Sequence, residues 1–158
     1  KSEIKYDILA IISGPEPQRS ILEKTLIKEL KIHKNKSLLL QGKPEKKYTE
    51  KINNLTIKSH LSSEELNLAM IESKLIICRA GYSTIMDLFK LQKNAVIIPT
   101  PGQTEQEYLA KYLSESSYFK SINQNEINLK NLIVTTQKFQ KIKERKEEAN
   151  WSKLLNIF

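Results

Sequence analysis

With 158 residues, 39% of them hydrophobic and 28% charged, the chain has the balance of a single globular domain, long enough to bury roughly 70% of its unfolded surface. No apolar run approaches the ~20 residues of a membrane span, and a lone cysteine, Cys78, excludes an internal disulfide and fits a reducing, cytoplasmic compartment. The net charge of +8 suits an anionic partner, yet it comes from 23 lysines and only 3 arginines spread along the chain; that reads as a solvated lysine surface, and no nucleic-acid partner is expected where arginine forks are scarce.

Residues 7–13, Asp7-Ile8-Leu9-Ala10-Ile11-Ile12-Ser13, have the continuous apolar character of a strand buried on both faces. The loop from Ser13 through Gly14-Pro15-Glu16-Pro17 to Arg19 carries prolines suited to helix entry, and Ile21, Leu22, Leu26, Ile27 and Leu30 then recur at helical spacing. Ser37 to Gln41 predicts a second strand, closed by Gly42-Lys43-Pro44, and Leu55-Thr56-Ile57 a short third one. Ser62-Ser63-Glu64-Glu65 is a capping-box pattern opening a helix with Leu66, Ala69 and Met70 on its apolar face.

Leu75 to Cys78 is a fourth buried strand. It ends at Arg79-Ala80-Gly81-Tyr82, where Gly81 permits a sharp turn or a positive φ. Ser83 or Thr84 is placed to cap the next helix, whose Ile85, Leu88 and Phe89 fall three and four apart. Ala95 to Ile98 is a fifth strand, stopped by Pro99-Thr100-Pro101-Gly102 and followed by a helix with Tyr108, Leu109, Tyr112 and Leu113 on one face. Tyr118 to Ile122 reads as a weak sixth strand. Two helices, about Asn125 to Val134 and Gln137 to Leu155, complete the chain, with Trp151, Leu154, Leu155 and Phe158 as an apolar cluster for a partner surface or for the domain's own sheet.

Strands alternating with helices throughout predict an α/β fold, a doubly wound, Rossmann-like parallel sheet of strand order 3-2-1-4-5-6. In that order the first and fourth strands meet at the switch point, so the loops 13–19 and 79–84 face each other across one crevice and the loop 100–107 closes its side. Backbone N–H groups and hydroxyls at Gly81 to Thr84 make an anion site, and Gly14 with the helix start near Gln18 a second. Two such termini suit a diphosphate better than a carboxylate. Asp87, one turn inside its helix, either accepts hydrogen bonds from ribose hydroxyls or complements its own helix start. Arg79 is either a site residue or a structural cation tied to sheet-end carbonyls. Gln103, Glu105, Gln106 and Glu107 suit sugar hydroxyls or form a plain solvated helix start. Cys78 reads as a buried strand residue, His33 as exposed, and His60 either lines the crevice or lies on the surface. Neither histidine has metal-ligand spacing, so no metal is expected.

Cys78-Arg79-Ala80-Gly81-Tyr82-Ser83-Thr84-Ile85-Met86-Asp87, with Ile98-Pro99 and Glu105-Gln106-Glu107-Tyr108 downstream, resembles the donor-binding half of GT-B glycosyltransferases. The similar branch is family 28, typified by the N-acetylglucosaminyltransferase of peptidoglycan lipid II synthesis, and the likeness runs from Ile8 to about Leu113. The resemblance implies a UDP-sugar substrate and no cofactor. It implies that Arg79 and the backbone near Leu61 flank the uracil, and that Asp87 accepts the ribose hydroxyls. It further implies that Gly81, Ser83 and Thr84 hold the phosphates with Gly14 facing them, and that Glu105 and Gln106 read the donor sugar. Two departures stand out. The family's glycine-rich first loop is Ser13-Gly14-Pro15-Glu16-Pro17 here, and the second of its paired glutamines matches Glu107.

In that fold the acceptor site and the usual catalytic base belong to an amino-terminal domain, so the chain is expected to be a carboxy-terminal fragment of a glycosyltransferase. The full-length protein is expected at the cytoplasmic membrane surface. Other readings are a UDP-sugar epimerase half, a stand-alone donor-binding subunit with a separate acceptor-domain partner, and, from a different class, a basic RNA-binding module.

Overall fold

In the computed structural model, which describes residues 2–139, the apolar runs become the strands of one sheet. The elements are β1 (Tyr6–Ile11), α1 (Gln18–Leu30), β2 (Ser37–Leu40), β3 (Thr49–Ile52), β4 (Leu55–Lys58), α2 (Ser63–Ile71), β5 (Ser73–Cys78), α3 (Tyr82–Lys90), β6 (Ala95–Ile97), α4 (Thr104–Ser114), β7 (Phe119–Ser121) and α5 (Leu129–Thr136), with a 3-10 turn at Gln124–Glu126. The sheet order is β3-β4-β2-β1-β5-β6-β7, and every pairing is parallel except β3 with β4. The expected order 3-2-1-4-5-6 is therefore present as β4-β2-β1-β5-β6-β7, with β1 beside β5.

β3 was not expected. Its Thr49, Glu50 and Lys51 are exposed, so it lacks the apolar alternation that marks a half-buried strand. Its place comes from a two-residue turn, with Asn53 at φ 54°, that folds it back onto β4 at the sheet edge. Polar, charged side chains on an edge strand discourage further pairing.

Alternate residues of each central strand enter two apolar layers. Ile8, Ala10, Ile12, Leu75, Ile77 and Val96 face Leu22, Leu26, Leu30, Leu129 and Leu132 of α1 and α5. Leu9, Leu38, Ile76, Cys78, Ala95 and Ile97 face Met70, Ile85, Leu88, Leu109 and Leu113 of α2, α3 and α4. Helices on both faces are why these strands read as continuous apolar runs.

The capping box forms as expected. Glu65 N–H donates to Ser62 Oγ at 3.2 Å, and Ser62 N–H donates to Glu65 Oε2 at 2.9 Å; those bonds to Ser62 hold the Glu65 carboxyl below its ordinary value. The expected helix from Asn125 to Val134 is instead the 3-10 turn and α5, because Asn128 caps α5 by accepting from Asn131 N–H at 3.1 Å. Gln137 closes α5; the rest of the expected last helix beyond residue 139, and the Trp151 to Phe158 cluster with it, lies outside the described residues.

Behind β2, Gly42 has φ +66°, and a Cβ there would lie 2.4 Å from the Ile12 carbonyl oxygen. The backbone of the adjacent strand leaves no room for a side chain. Gly42→Ala is expected to lower unfolding stability by at least about 2 kcal/mol, read as a fall in urea midpoint with an unchanged slope.

Candidate functional site: the carboxyl edge of the sheet

Strand register decides which loops meet. Ile11 pairs with Cys78, and Cys78 with Ile97, so the chains leaving β1, β5 and β6 emerge at one level. Arg79, the next residue after β5, turns into the space between them and is 1% exposed. Its Nε donates to Ser13 O at 3.4 Å, Nη1 to Ile98 O at 3.4 Å and Pro99 O at 3.3 Å, and Nη2 to Gln18 O at 3.0 Å and Gln124 Oε1 at 2.6 Å. Gln124 Nε2 in turn donates to Gln18 Oε1 at 2.8 Å.

A guanidinium has five N–H groups, and all five are used here. Burial pulls Arg79 down to about 10, which leaves it charged at neutral pH. The resemblance set Arg79 beside a uracil; the structure commits its guanidinium to the scaffold. A residue that directly follows a central strand stands over sheet-end carbonyls, and these take its donors first.

Gly14 lies on the same edge. It has φ +104°, and a Cβ built on it would be 3.4 Å from Thr100 Oγ1 and 4.0 Å from Arg79 Nε. Across the edge, Gly81 is extended (φ −82°, ψ 136°) and is itself the residue preceding α3. Of the two conformations that a glycine at this position permits, a sharp turn or a positive φ, the positive φ is absent, and neither Ser83 nor Thr84 is the cap. They are the second and third residues of α3, because the helix begins one residue after the glycine. Among the described residues, chain neighbours aside, no atom lies within 4 Å of where a Gly81 Cβ would be, so their packing does not demand glycine there.

The consequence is an unfilled helix start. The first α3 bond runs from Ile85 N–H to Gly81 O at 3.0 Å, and among the described residues nothing accepts from the N–H groups of Tyr82, Ser83 and Thr84. Ser83 is exposed, and Thr84 and Asp87 are half-buried. Asp87 lies beyond the first turn, and among the described residues its carboxylate has no hydrogen bond or ion pair. A capping role for Asp87 therefore has no support in the geometry.

Ala80, Gly81, Tyr82, Gln103, Glu105, Gln106 and Leu109 line a pocket of about 380 Å³ between the starts of α3 and α4. Gly81, Glu105 and Gln106 are thus brought together. Leu61 is half-buried in the β4–α2 connection, against the apolar layer containing Ala80 and Ile85. His60 follows β4, separated from β5 by β2 and β1, and its Nδ1 lies 3.0 Å from Lys46 O. Tyr82 and Thr100 fall within the loops expected at this edge, without a role of their own in that reading, whereas nothing local marks Gln124, which is 45 residues from Arg79.

The sequence model of the glycosyltransferase family 28 C-terminal domain matches residues 15–156. The chain belongs to this family. No curated protein shows significant similarity to it. Among solved structures, the family 28 domain is similar to ALG13 in a solution NMR structure (TM-score 0.65, 15% identity, 97% of this chain and 96% of that one). It is similar to MurG of Acinetobacter baumannii (TM-score 0.56, 22% identity, 86% and 42%). The glycosyltransferase SnogD from Streptomyces nogalater also shares the fold (TM-score 0.62, 10% identity, 98% and 43%). The domain thus spans nearly all of the ALG13 chain and under half of the other two, with the architecture of the C-terminal half of GT-B enzymes.

Within the family 28 domain, adjacent residues at the start of α4 serve different openings. Gln106 lines the Gly81 pocket and its Oε1 accepts from Thr100 N–H at 2.9 Å, which leaves its amide N–H₂ to donate. Glu107 accepts from Gly102 N–H at 3.2 Å and lines a groove of about 440 Å³ with Ile21, Thr25, Pro99 and Asn123. Successive helical residues point about 100° apart, so the residue matching the second glutamine faces away from the first.

Arg79→Met, which removes five donors and leaves their acceptors buried, is expected to lower stability by about 3 kcal/mol or more. Chemical denaturation measures it, and Arg79→Lys is expected to recover only part of the loss because an ammonium has three donors and no fork.

Proposed function

We propose that this domain is the donor half of a glycosyltransferase, binding a UDP-sugar with its diphosphate at the start of α3, its ribose on Asp87 and its sugar toward Glu105 and Gln106. One observation carries the reading: three unpaired N–H groups open beside Gly81, where no side chain stands, and an unpaired carboxylate lies one turn along the same helix. The partial positive charge of a helix start favours a diphosphate, while a carboxylate close to it needs a hydrogen-bond donor, which ribose hydroxyls supply. The transferred group is a hexose or N-acetylhexosamine. The acceptor and the base that deprotonates it are supplied from outside this domain.

A second arrangement, in which the donor half is a separate subunit, has support in length, since the same fold makes up 96% of the ALG13 chain. Among the described residues no helix is long and apolar enough to cross a membrane.

Calorimetric titration is expected to show UDP binding more tightly than ADP. Asp87→Ala should weaken UDP by about 1.5–3 kcal/mol, or roughly ten- to a hundredfold, at an unchanged melting temperature. UDP affinity that survives while melting falls would return Asp87 to a structural role.

The isolated chain is expected to transfer no sugar from a UDP-sugar to a polyprenyl-linked or simple sugar acceptor, and to do so once an acceptor domain is supplied. Inversion needs a base within about 3 Å of the acceptor hydroxyl, and His60 follows β4, away from the crevice, with its Nδ1 3.0 Å from Lys46 O. Turnover by the chain alone, abolished by Asp87→Ala, would show that the base lies within it.

A further inference from the structure

Thr100 leaves the end of β6 and is 1% exposed. Its N–H is satisfied by Gln106 at 2.9 Å, yet its hydroxyl oxygen, closed off from solvent, has no hydrogen-bond partner among the described residues. A buried hydroxyl left unpaired is unfavourable, and an apolar group of the same shape would remove the penalty. Valine is that group. The hydroxyl therefore weakens the fold unless it serves another molecule.

Its surroundings indicate which. The point a Gly14 Cβ would occupy is 3.4 Å from Thr100 Oγ1 and 4.0 Å from Arg79 Nε. Beneath the bare face of Gly14 lie a hydroxyl in need of a partner and the edge of a buried guanidinium whose hydrogen-bond partners are neutral carbonyl and amide oxygens. Both favour an anionic oxygen. Gln106 also connects Thr100 to the pocket at Gly81.

We infer that Thr100 is a phosphate-contacting residue, its hydroxyl donating to an oxygen of the donor nucleotide's diphosphate lodged against Gly14. The inference rests on the donor-binding reading above. In this conformation Gly14 closes over the hydroxyl, so contact requires the turn 13–17 to lift. Pro15 and Glu16 are bonded to Arg19, so the lift is at the Ser13–Gly14 end, which is held to Arg79 by a long bond, 3.4 Å from Nε to Ser13 O.

The test compares the wild-type chain with Thr100→Val and Thr100→Ser, titrated with UDP by calorimetry and with uridine by NMR, alongside thermal melting. Thr100→Val is expected to weaken UDP roughly tenfold or more, to leave uridine affinity unchanged, and to melt no lower than wild type. Thr100→Ser is expected to keep UDP affinity close to wild type. Wild-type UDP binding that Thr100→Val leaves untouched, or a loss shared equally by uridine, overturns the inference alone. A wild-type chain that binds neither compound overturns the donor-binding reading and the inference with it.

Discussion

Everything at the carboxyl edge depends on one buried cation. Three parallel strands end side by side, and carbonyls of the chain leaving β1 and β6, those of Ser13, Ile98 and Pro99, point into a space that helices and loops close to water. Arg79 meets that demand from the centre, with partners from 19 to 66 residues away in sequence. It joins the turn after β1, the start of α1, the loop after β6 and the 3-10 turn. A lysine could not do this, because the geometry needs a planar fork of donors rather than a point charge.

A second arginine braces the far side of the same turn by the opposite electrostatic route. Arg19, near the start of α1, donates from Nη1 to Glu23 Oε2 at 2.6 Å and to Gln41 O at 3.1 Å, and from Nε to Glu16 Oε1 at 2.7 Å. Gln41 then donates to Glu23 and accepts from Tyr48. Arg19 is neutralised by carboxylates, whereas among the described residues the hydrogen-bond partners of Arg79 are neutral oxygens. Between these two clasps lies the loop with two prolines and a single glycine, which offers few N–H groups of its own. The proposed anion site accordingly rests on the start of α3.

Scaffold and ligand-facing groups are kept apart. The side chains that order the edge, Arg79, Arg19, Glu23, Gln41 and Gln124, are each at most 8% exposed. The groups left for the proposed ligand include the first N–H groups of α3, the Asp87 carboxylate, Glu105 and the amide of Gln106. Such a division lets the start of α3 and Gln106 be positioned before any ligand arrives, which limits the ordering a ligand must induce there. The rotation between Gln106 and Glu107 divides these two neighbours, since Gln106 opens with Glu105 into the pocket beside Gly81 and Glu107 does not.

Sequence alone determined the elements whose signals are local. Continuous apolar runs marked β1, β2, β5 and β6, because a strand buried on both faces has no polar side to show. The Ser62–Glu65 capping box and the helical spacing of Ile85 and Leu88 were legible for the same reason, and alternating strands and helices were enough to set the strand order. β3 was hidden because an edge strand of Thr49, Glu50 and Lys51 carries no burial pattern; its place comes from the turn at Asn53 and from pairing with β4. The start of α3 was misplaced by two or three residues, since backbone dihedrals rather than the hydroxyls of Ser83 and Thr84 decided it. Arg79 could be read either way from its neighbours. Only the tertiary structure chose the scaffold role, because its acceptors come from four distant segments that meet through strand register, and no local pattern in a chain records which carbonyls will be left unpaired when its strands come together.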